Sequence, residues 1–245
     1  MKKGSDLSDV LGAVYFCPED LLLIRDGAAA RRKFMDDALC QLRARYAQAL
    51  SDYHRAYEHK TRILRDSEEK PSLLSMWEDF SLRMARIGAQ IIRYRAYYCR
   101  KLLSAAAAVY SDIAPHEALS GEYRTVSSVS DPFAPAQQLE RELIDHVFRH
   151  KAAEIAAKSC LSGPHKDDLQ LMLDGRSAAS FGSQGQVRTC TLSLKLAERE
   201  LFFDEDGEYP VLLLDDVLSE LDRRRQDFVL NRIAAGQVMI TCCED

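Results

Sequence analysis

Two adjacent acids, Asp215 and Asp216, close the apolar run Val211-Leu212-Leu213-Leu214. Apolar residues followed by paired carboxylates describe a buried strand that delivers acids at its C-terminal end, where open α/β sheets bind their ligands. There the first acid can hold Mg2+, directly or through water, and the second can orient or deprotonate an attacking water. Either aspartate could instead cap the segment that follows. A second candidate lies upstream, in Phe181-Gly182-Ser183-Gln184-Gly185-Gln186. A small, Gly-containing loop leads into a helix capped by Ser183, and a helix N-terminus offers free N–H groups and partial positive charge to a phosphate. A plain serine cap accounts for the same string.

These residues need elements to carry them. Val10–Phe16 reads as a short buried strand, and Cys17-Pro18-Glu19-Asp20 turns into a short helix with acids in its first turn. From about 28 to 115 the pattern is helical. Leu39, Leu42, Tyr46, Leu50, Tyr53, Tyr57 and Leu64, and then Trp77, Phe80, Met84, Ile87, Ile91, Tyr94, Tyr98, Leu102, Ala105 and Val109, alternate spacings of three and four through most of both runs. That is a heptad seam, so two helices of about 40 residues are expected to form an antiparallel coiled-coil arm, broken near Asp66–Ser72. A helical bundle is the alternative. From 116 onward strands alternate with helices. Strands are expected at Glu122–Ser130, Leu169–Leu173, Val211–Asp215 and Val238–Thr241. Helices are expected over about 137–159, 184–203 and 222–235, and Asp174-Gly175 is expected to form a turn. Three regions result: 1–27 as part of an α/β head, 28–115 as the arm, and 116–245 as the rest of the head.

Composition is that of an ordinary globular sequence, with 47% hydrophobic and 29% charged residues in a chain of 245. No apolar run approaches the roughly 18 residues that would span a bilayer. Seven cysteines without a C-x-x-C pair argue against a zinc ribbon or a disulfide scaffold and fit a reducing cytoplasm. Net charge is −5, yet residues 28–115 hold 16 Lys and Arg against 10 Asp and Glu. That local excess could attract nucleic acid or merely solvate helices.

The Ser183–Gln186 string lies 29 residues before Asp215, and Ser219-Glu220-Leu221-Asp222 follows Asp216 after two residues. This order resembles the signature loop, Walker B strand and D-loop of ABC-type ATPases, in the DNA-repair branch that contains SMC, Rad50 and RecF. Longer strings select among these. Phe16-Cys17-Pro18-Glu19-Asp20-Leu21, Arg31-Arg32-Lys33-Phe34-Met35-Asp36, Gly163-Pro164-His165-Lys166-Asp167-Asp168, Ser183 through Thr189 and Leu214 through Asp222 all resemble RecF family strings, in the family's order.

The resemblance implies an ABC-ATPase-like α/β lobe with an inserted helical arm. It also implies a bacterial cytoplasmic ATPase of DNA replication, recombination and repair that binds single-stranded and gapped duplex DNA in an ATP-dependent way. Such a protein works with RecR and RecO to help load RecA, supports the SOS response and forms an ATP-bound homodimer. Carried over, Asp215 is the Mg2+-linked acid and Asp216 the catalytic carboxylate. Ser183, Gln184, Gly185 and Gln186 belong to the nucleotide site completed by a partner, and Asp222 lies near the dimer seam.

One departure is serious. The family carries a G-x-x-x-x-G-K-[ST] loop, and none of the 11 glycines here is followed by Lys. That loop's amides and lysine would supply the main grip on phosphates. The chain therefore reads as a fragment or truncated product starting after that lobe, and as inactive toward ATP alone. A non-enzymatic scaffold that has lost the nucleotide site is the alternative. After Thr241 stands Cys242, so no histidine is available at the switch position. His146 and His150, four residues apart, are a weak zinc candidate. His165, Arg31, Arg32, Lys33, Arg188 and Arg223–Arg225 stay open between ligand contact and structural roles.

Overall fold

Three short apolar segments, β1 (Ala13–Phe16), β5 (Val211–Asp215) and β6 (Val238–Thr241), form a parallel sheet in the order β1-β5-β6. Its register pairs Phe16 with Leu214 and Asp215 with Thr241. The structure is a computed structural model that describes residues 12–125 and 128–241. Val10, Leu11, Val126, Ser127, Cys242 and the last residues, all named in the sequence reading, lie outside the described residues. The period of two sorts the side chains: Val14, Phe16, Leu212 and Leu214 are buried, whereas Tyr15 and Asp215 are exposed.

The buried face packs against α7 (Gln184–Asp206), a 23-residue helix capped by Ser183 at its start and by Gly207 in the left-handed region, φ 75°, at its end. Burial runs almost unbroken from Thr189 to Arg199 of α7, as expected of a helix enclosed on all sides. Several of its polar residues are reconciled with burial by hydrogen bonds to backbone carbonyls. Thr189, Thr191 and Ser193 donate to the carbonyls four residues back, at 2.8, 3.2 and 2.8 Å. Lys195 Nζ donates to the Tyr15 carbonyl at 2.8 Å.

The remaining elements are α1 (Ala28–Leu42), α2 (Ala44–Asp66), α3 (Trp77–Ile113), β2 (Leu119–Arg124), α4 (Ala136–Arg149), α5 (Lys151–Ala157), β3 (Asp168–Leu173), β4 (Arg176–Ser177), α6 (Ala178–Phe181) and α8 (Arg223–Arg232). Strands β2, β3 and β4 form a second sheet. Asp174 and Gly175, with φ of 48° and 76°, make the tight turn between β3 and β4, where two positive φ values match the strands' twist. Strand β2 is shifted toward the N-terminus from its expected place. At Gly121 a Cβ would meet the Gln170 carbonyl at 2.5 Å, so the close approach of β2 and β3 requires glycine there.

The chain divides into two units: Met1–Leu42, Cys99–Glu122 and Leu169–Asp245 form the first, and Arg43–Tyr98 and Tyr123–Asp168 the second. The second unit is helical. The expected single helix before Asp66 breaks at Arg43, whose backbone is extended at φ −145°, ψ 97°. The helix expected over 137–159 breaks at His150, between α4 and α5. Burial on α2 and α3 is wider than a two-position seam: Ala49, Ala56, Ile63, Ala85, Ala89 and Ile92 join Tyr46, Tyr53, Leu64, Met84 and Ile91 inside. At the centre, Glu154 of α5 accepts from Lys60 Nζ at 2.6 Å, from Trp77 Nε1 at 3.1 Å and from the Leu161 amide at 2.8 Å.

The string Gly163–Asp168 also lies in this unit. Gly163 has φ 125°, and a Cβ there would meet the Tyr53 hydroxyl at 2.3 Å. His165 is bonded at both ring nitrogens, to the Tyr53 hydroxyl at 2.7 Å and the Cys160 carbonyl at 3.1 Å. It therefore holds the loop.

Candidate nucleotide-site motifs

The parallel strand β5 carries Asp215 out of the sheet between two hydroxyl-bearing neighbours. Tyr15 Oη of β1 donates to Asp215 Oδ2 and Thr241 Oγ1 of β6 donates to Oδ1, each at 2.7 Å. The Thr241 and Tyr15 hydrogen bonds hold the Asp215 carboxyl below the usual carboxylate range. The acid is thus ionised and oriented, yet exposed to solvent.

At Asp216 the chain turns sharply, in the left-handed region at φ 51°. Non-glycine residues are uncommon there, and such strain is concentrated at functional sites. The turn is held by bonds from the Asp216 amide to the Thr241 hydroxyl at 3.0 Å and the Thr241 carbonyl at 3.2 Å. Ser219 Oγ donates to the Asp216 carbonyl at 2.8 Å. Asp216 Oδ1 is buried and has no hydrogen-bond partner among the described residues. A buried carboxylate oxygen without a donor is costly, so this atom suits a site that receives a water or a cation.

The turn before α7 closes on itself. Ser183 Oγ accepts from the Gln186 amide at 3.2 Å, and Gln186 Oε1 accepts from the Ser183 amide at 2.8 Å. This reciprocal capping box satisfies two otherwise orphaned donors. Gln186 Nε2 then donates to Glu117 at 3.0 Å, and Glu117 also accepts from Tyr110 Oη at 2.5 Å. Both ends of the Gln186 amide are therefore committed. The Ser183 side chain is exposed, as is Gln184.

Asp222 is the N-cap of α8 and accepts from the Arg225 amide at 3.0 Å. That bond lowers the Asp222 carboxyl's pKa. The Arg225 side chain pairs with Asp222, donates from Nε to Thr189 Oγ1 at 2.8 Å and reaches the Gly185 carbonyl at 3.4 Å. The turn before α7 and the Asp222 turn are thereby joined through one guanidinium. Among the described residues no hydrogen bond links Asp215 or Asp216 to Ser183, Gln184, Gly185 or Gln186. Sequence reasoning missed Tyr15, Thr241, Glu117 and the target of Arg225. The one available signal was Tyr15, which alternation on β1 places on the same side of the sheet as Asp215.

Arg31, His146 and His150 resolve locally. Arg31 Nη1 donates to the carbonyls of Leu23, Ile24 and Asp26. His146 and His150 stack at 4.1 Å, with His146 bonded to Ser162 at 2.5 Å and His150 to the His146 carbonyl at 2.7 Å. Among the described residues no group of three or more His, Cys, Asp or Glu could hold a metal ion. Among the described residues no helix is long and apolar enough to cross a membrane.

Against known proteins, the chain is 36% identical over 245 residues to the DNA replication and repair protein RecF of Acetivibrio thermocellus, covering 100% of this chain and 66% of that one. The RecF of Agathobacter rectalis is 38% identical over 243 residues, with 99% and 64% covered. The chain belongs to the RecF family. It spans about two thirds of the length of these curated relatives, 64–66%. A solved structure of the recombination mediator protein RecF-ATPrS in the RecFOR pathway matches with a TM-score of 0.93 at 29% identity, over 100% of this chain and 66% of that one. A RecF-ATP structure from the same pathway matches with a TM-score of 0.88 at 30% identity, over 97% and 64%. No family profile matches the chain. The mixed α/β architecture is therefore that of RecF, and the five strings quoted above stand within it.

Proposed function

We propose that this chain supplies the signature, Walker B and D-loop parts of a RecF-type DNA replication and repair protein. In this reading it binds single-stranded and gapped duplex DNA in an ATP-dependent way, as a homodimer. It works with RecO and RecR in the bacterial cytoplasm to assist RecA loading in recombinational repair and the SOS response. The observation that carries the reading is the strand tip, where an ionised, doubly hydrogen-bonded Asp215 stands beside a strained Asp216 with an unpaired buried oxygen.

The donor set fits a hydrated Mg2+, which keeps most of its waters and takes few carboxylates. Asp215 would hold it, and Mg2+, when bound, neutralises charge on phosphate oxygens. Asp216 is placed to accept a hydrogen bond from an attacking water and take its proton. Ser183 Oγ already accepts from an amide, so its own proton is free to donate to a phosphate oxygen. By their position in the first helical turn the Gln184 and Gly185 amides point the same way. Gln186 shapes the turn, and Asp222 with Arg225 fixes it against α8. These groups would meet the nucleotide bound by a second copy.

A gapped DNA duplex titrated with the chain at about 50 to 200 mM salt, with and without Mg-ATP, tests the reading. Phosphate contacts predict affinity that falls steeply with salt. Absence of binding at low salt would sink the DNA assignment. The alternative is a non-enzymatic scaffold that has lost the nucleotide site. Steady ATP turnover by the chain alone, lost in Asp216→Ala, would exclude that alternative.

A further inference from the structure

The Asp215 carboxylate is held from both flanks of its strand, and the two holders are not equivalent. Thr241 also receives the Asp216 amide on its hydroxyl and on its carbonyl, so it belongs to the backbone turn as well. Among the described residues Tyr15 makes a single side-chain hydrogen bond, the one to Asp215 Oδ2 at 2.7 Å. Tyr15 is 48% exposed, so it contributes little to the core. Strand β1 is pinned behind it. The Tyr15 carbonyl accepts from Lys195 Nζ at 2.8 Å, and the neighbours Val14 and Phe16 are both 1% exposed. The phenol therefore extends from a fixed backbone to a fixed carboxylate.

We propose that Tyr15 is a positioning residue for a divalent cation at Asp215, and that by locking the carboxylate it favours Mg2+ over Ca2+. The inference rests on the cation reading of Asp215 given above. A carboxylate has about four lone-pair sites, and the two hydroxyls occupy one on each oxygen, leaving sites for an ion or its waters. Mg2+ demands near-ideal octahedral geometry, whereas Ca2+ accepts variable ligand number and position. A carboxylate fixed on both sides suits the demanding ion. One free to swing loses that advantage, while the tolerant ion is little affected. Groups that orient a metal ligand are commonly worth 10- to 100-fold in affinity.

The test uses the chain itself and the metals alone. Mn2+ binding is followed by the electron paramagnetic resonance signal of the free ion, and Mg2+ and Ca2+ are then titrated as competitors. Asp215→Asn identifies the site. Tyr15→Phe keeps the ring and deletes only the hydroxyl, and circular dichroism verifies that it is folded. Expected is a fall of about 10-fold in Mg2+ affinity in Tyr15→Phe, with a smaller change for Ca2+, so that the Mg2+ to Ca2+ preference shrinks. If Asp215→Asn abolishes Mn2+ binding while Tyr15→Phe keeps both affinities and their ratio, the role of Tyr15 is refuted and the cation site stands. If the chain binds no Mn2+, or binds it equally after Asp215→Asn, the cation site falls and the inference with it. A tyrosine needed only for stability would move the melting temperature and leave the ion preference intact.

Discussion

Each of the two units buries a lysine beside a glutamate, and the two arrangements differ in kind. Lys60 and Glu154, 1% and 0% exposed at their side chains, sit 2.6 Å apart, with Trp77 and the Leu161 amide completing the carboxylate's bonds. Lys195 and Glu198 lie 3.7 Å apart, beyond hydrogen-bond distance. The lysine is turned instead toward the Tyr15 carbonyl at 2.8 Å and Asp20 at 3.4 Å, and Glu198 Oε2 has no hydrogen-bond partner among the described residues. The first pair is closed. The second is open, because its cation is shared with the strand whose tyrosine holds Asp215. A closed pair fixes a core. An open one leaves a carboxyl whose charge state depends on its surroundings.

The largest test of this contrast is Lys60→Met. It leaves a buried carboxylate without its cation, and the expected loss is about 3–5 kcal/mol in urea unfolding. Lys60→Met with Glu154→Leu removes both charges and is expected to recover most of that loss. If the double variant is no better than the single one, the pair is not a balanced ion pair.

The open pair predicts a pH effect. Burial pushes the Glu198 carboxyl up to about 7, raised further by Asp20 and Asp37 and opposed by Lys195. In the folded chain it thus holds its proton above the ordinary glutamate value of 4.5. Between those values the folded state binds more protons than the unfolded state, so its contribution is full below about 4.5 and is lost as pH rises through about 7. The expected change is about 1–3 kcal/mol, scaled from about 1.4 kcal/mol per pKa unit. Glu198→Gln should flatten that dependence. Unfolding curves at pH 5 and pH 8 that change equally in both proteins would refute the assignment.

The legibility of the two regions differs for a related reason. Strand β5, its acids, the Asp174-Gly175 turn and the Ser183 cap were all readable, because each is decided by neighbours in sequence: an apolar run, two φ-tolerant residues, a serine three places before a glutamine. The break at Arg43 carries no glycine or proline and was not readable. Neither was the wide burial on α2 and α3, which depends on partners in α4 and α5 such as Glu154. Strand β2 has a polar sequence, Leu119–Arg124, and is a strand because Gly121 lets β3 approach. At the candidate site the residue types were readable and their tethers were not. Tyr15 and Asp215 are 200 residues apart, and nothing local to Arg225 names Thr189 as its target.

Arg225 adds an intermediate case: a charged group that is closed yet partly exposed, with Asp222, Thr189 and Gly185 all engaged. If closure matters more than burial, Arg225→Lys should still cost stability, because an ammonium cannot reproduce a planar fork that spans two helices. About 1.5 kcal/mol is expected, the lower end of the range for hydrogen bonds to charged groups. Hydrogen exchange should quicken at the first-turn amides of α7 as well as α8. Quickening confined to α8 would mean that Arg225 only reinforces its own helix cap.

The smallest expected effect separates shape from chemistry at the same turn. Ser183→Ala removes the oxygen that accepts from the Gln186 amide and should cost about 1 kcal/mol, whereas Ser183→Gly should cost only a few tenths. Both variants delete the hydroxyl proton proposed to reach a phosphate. A role limited to capping predicts that any loss of nucleotide-dependent association follows the stability ranking, with alanine worse than glycine. A phosphate contact predicts equal loss in both, since neither side chain can donate.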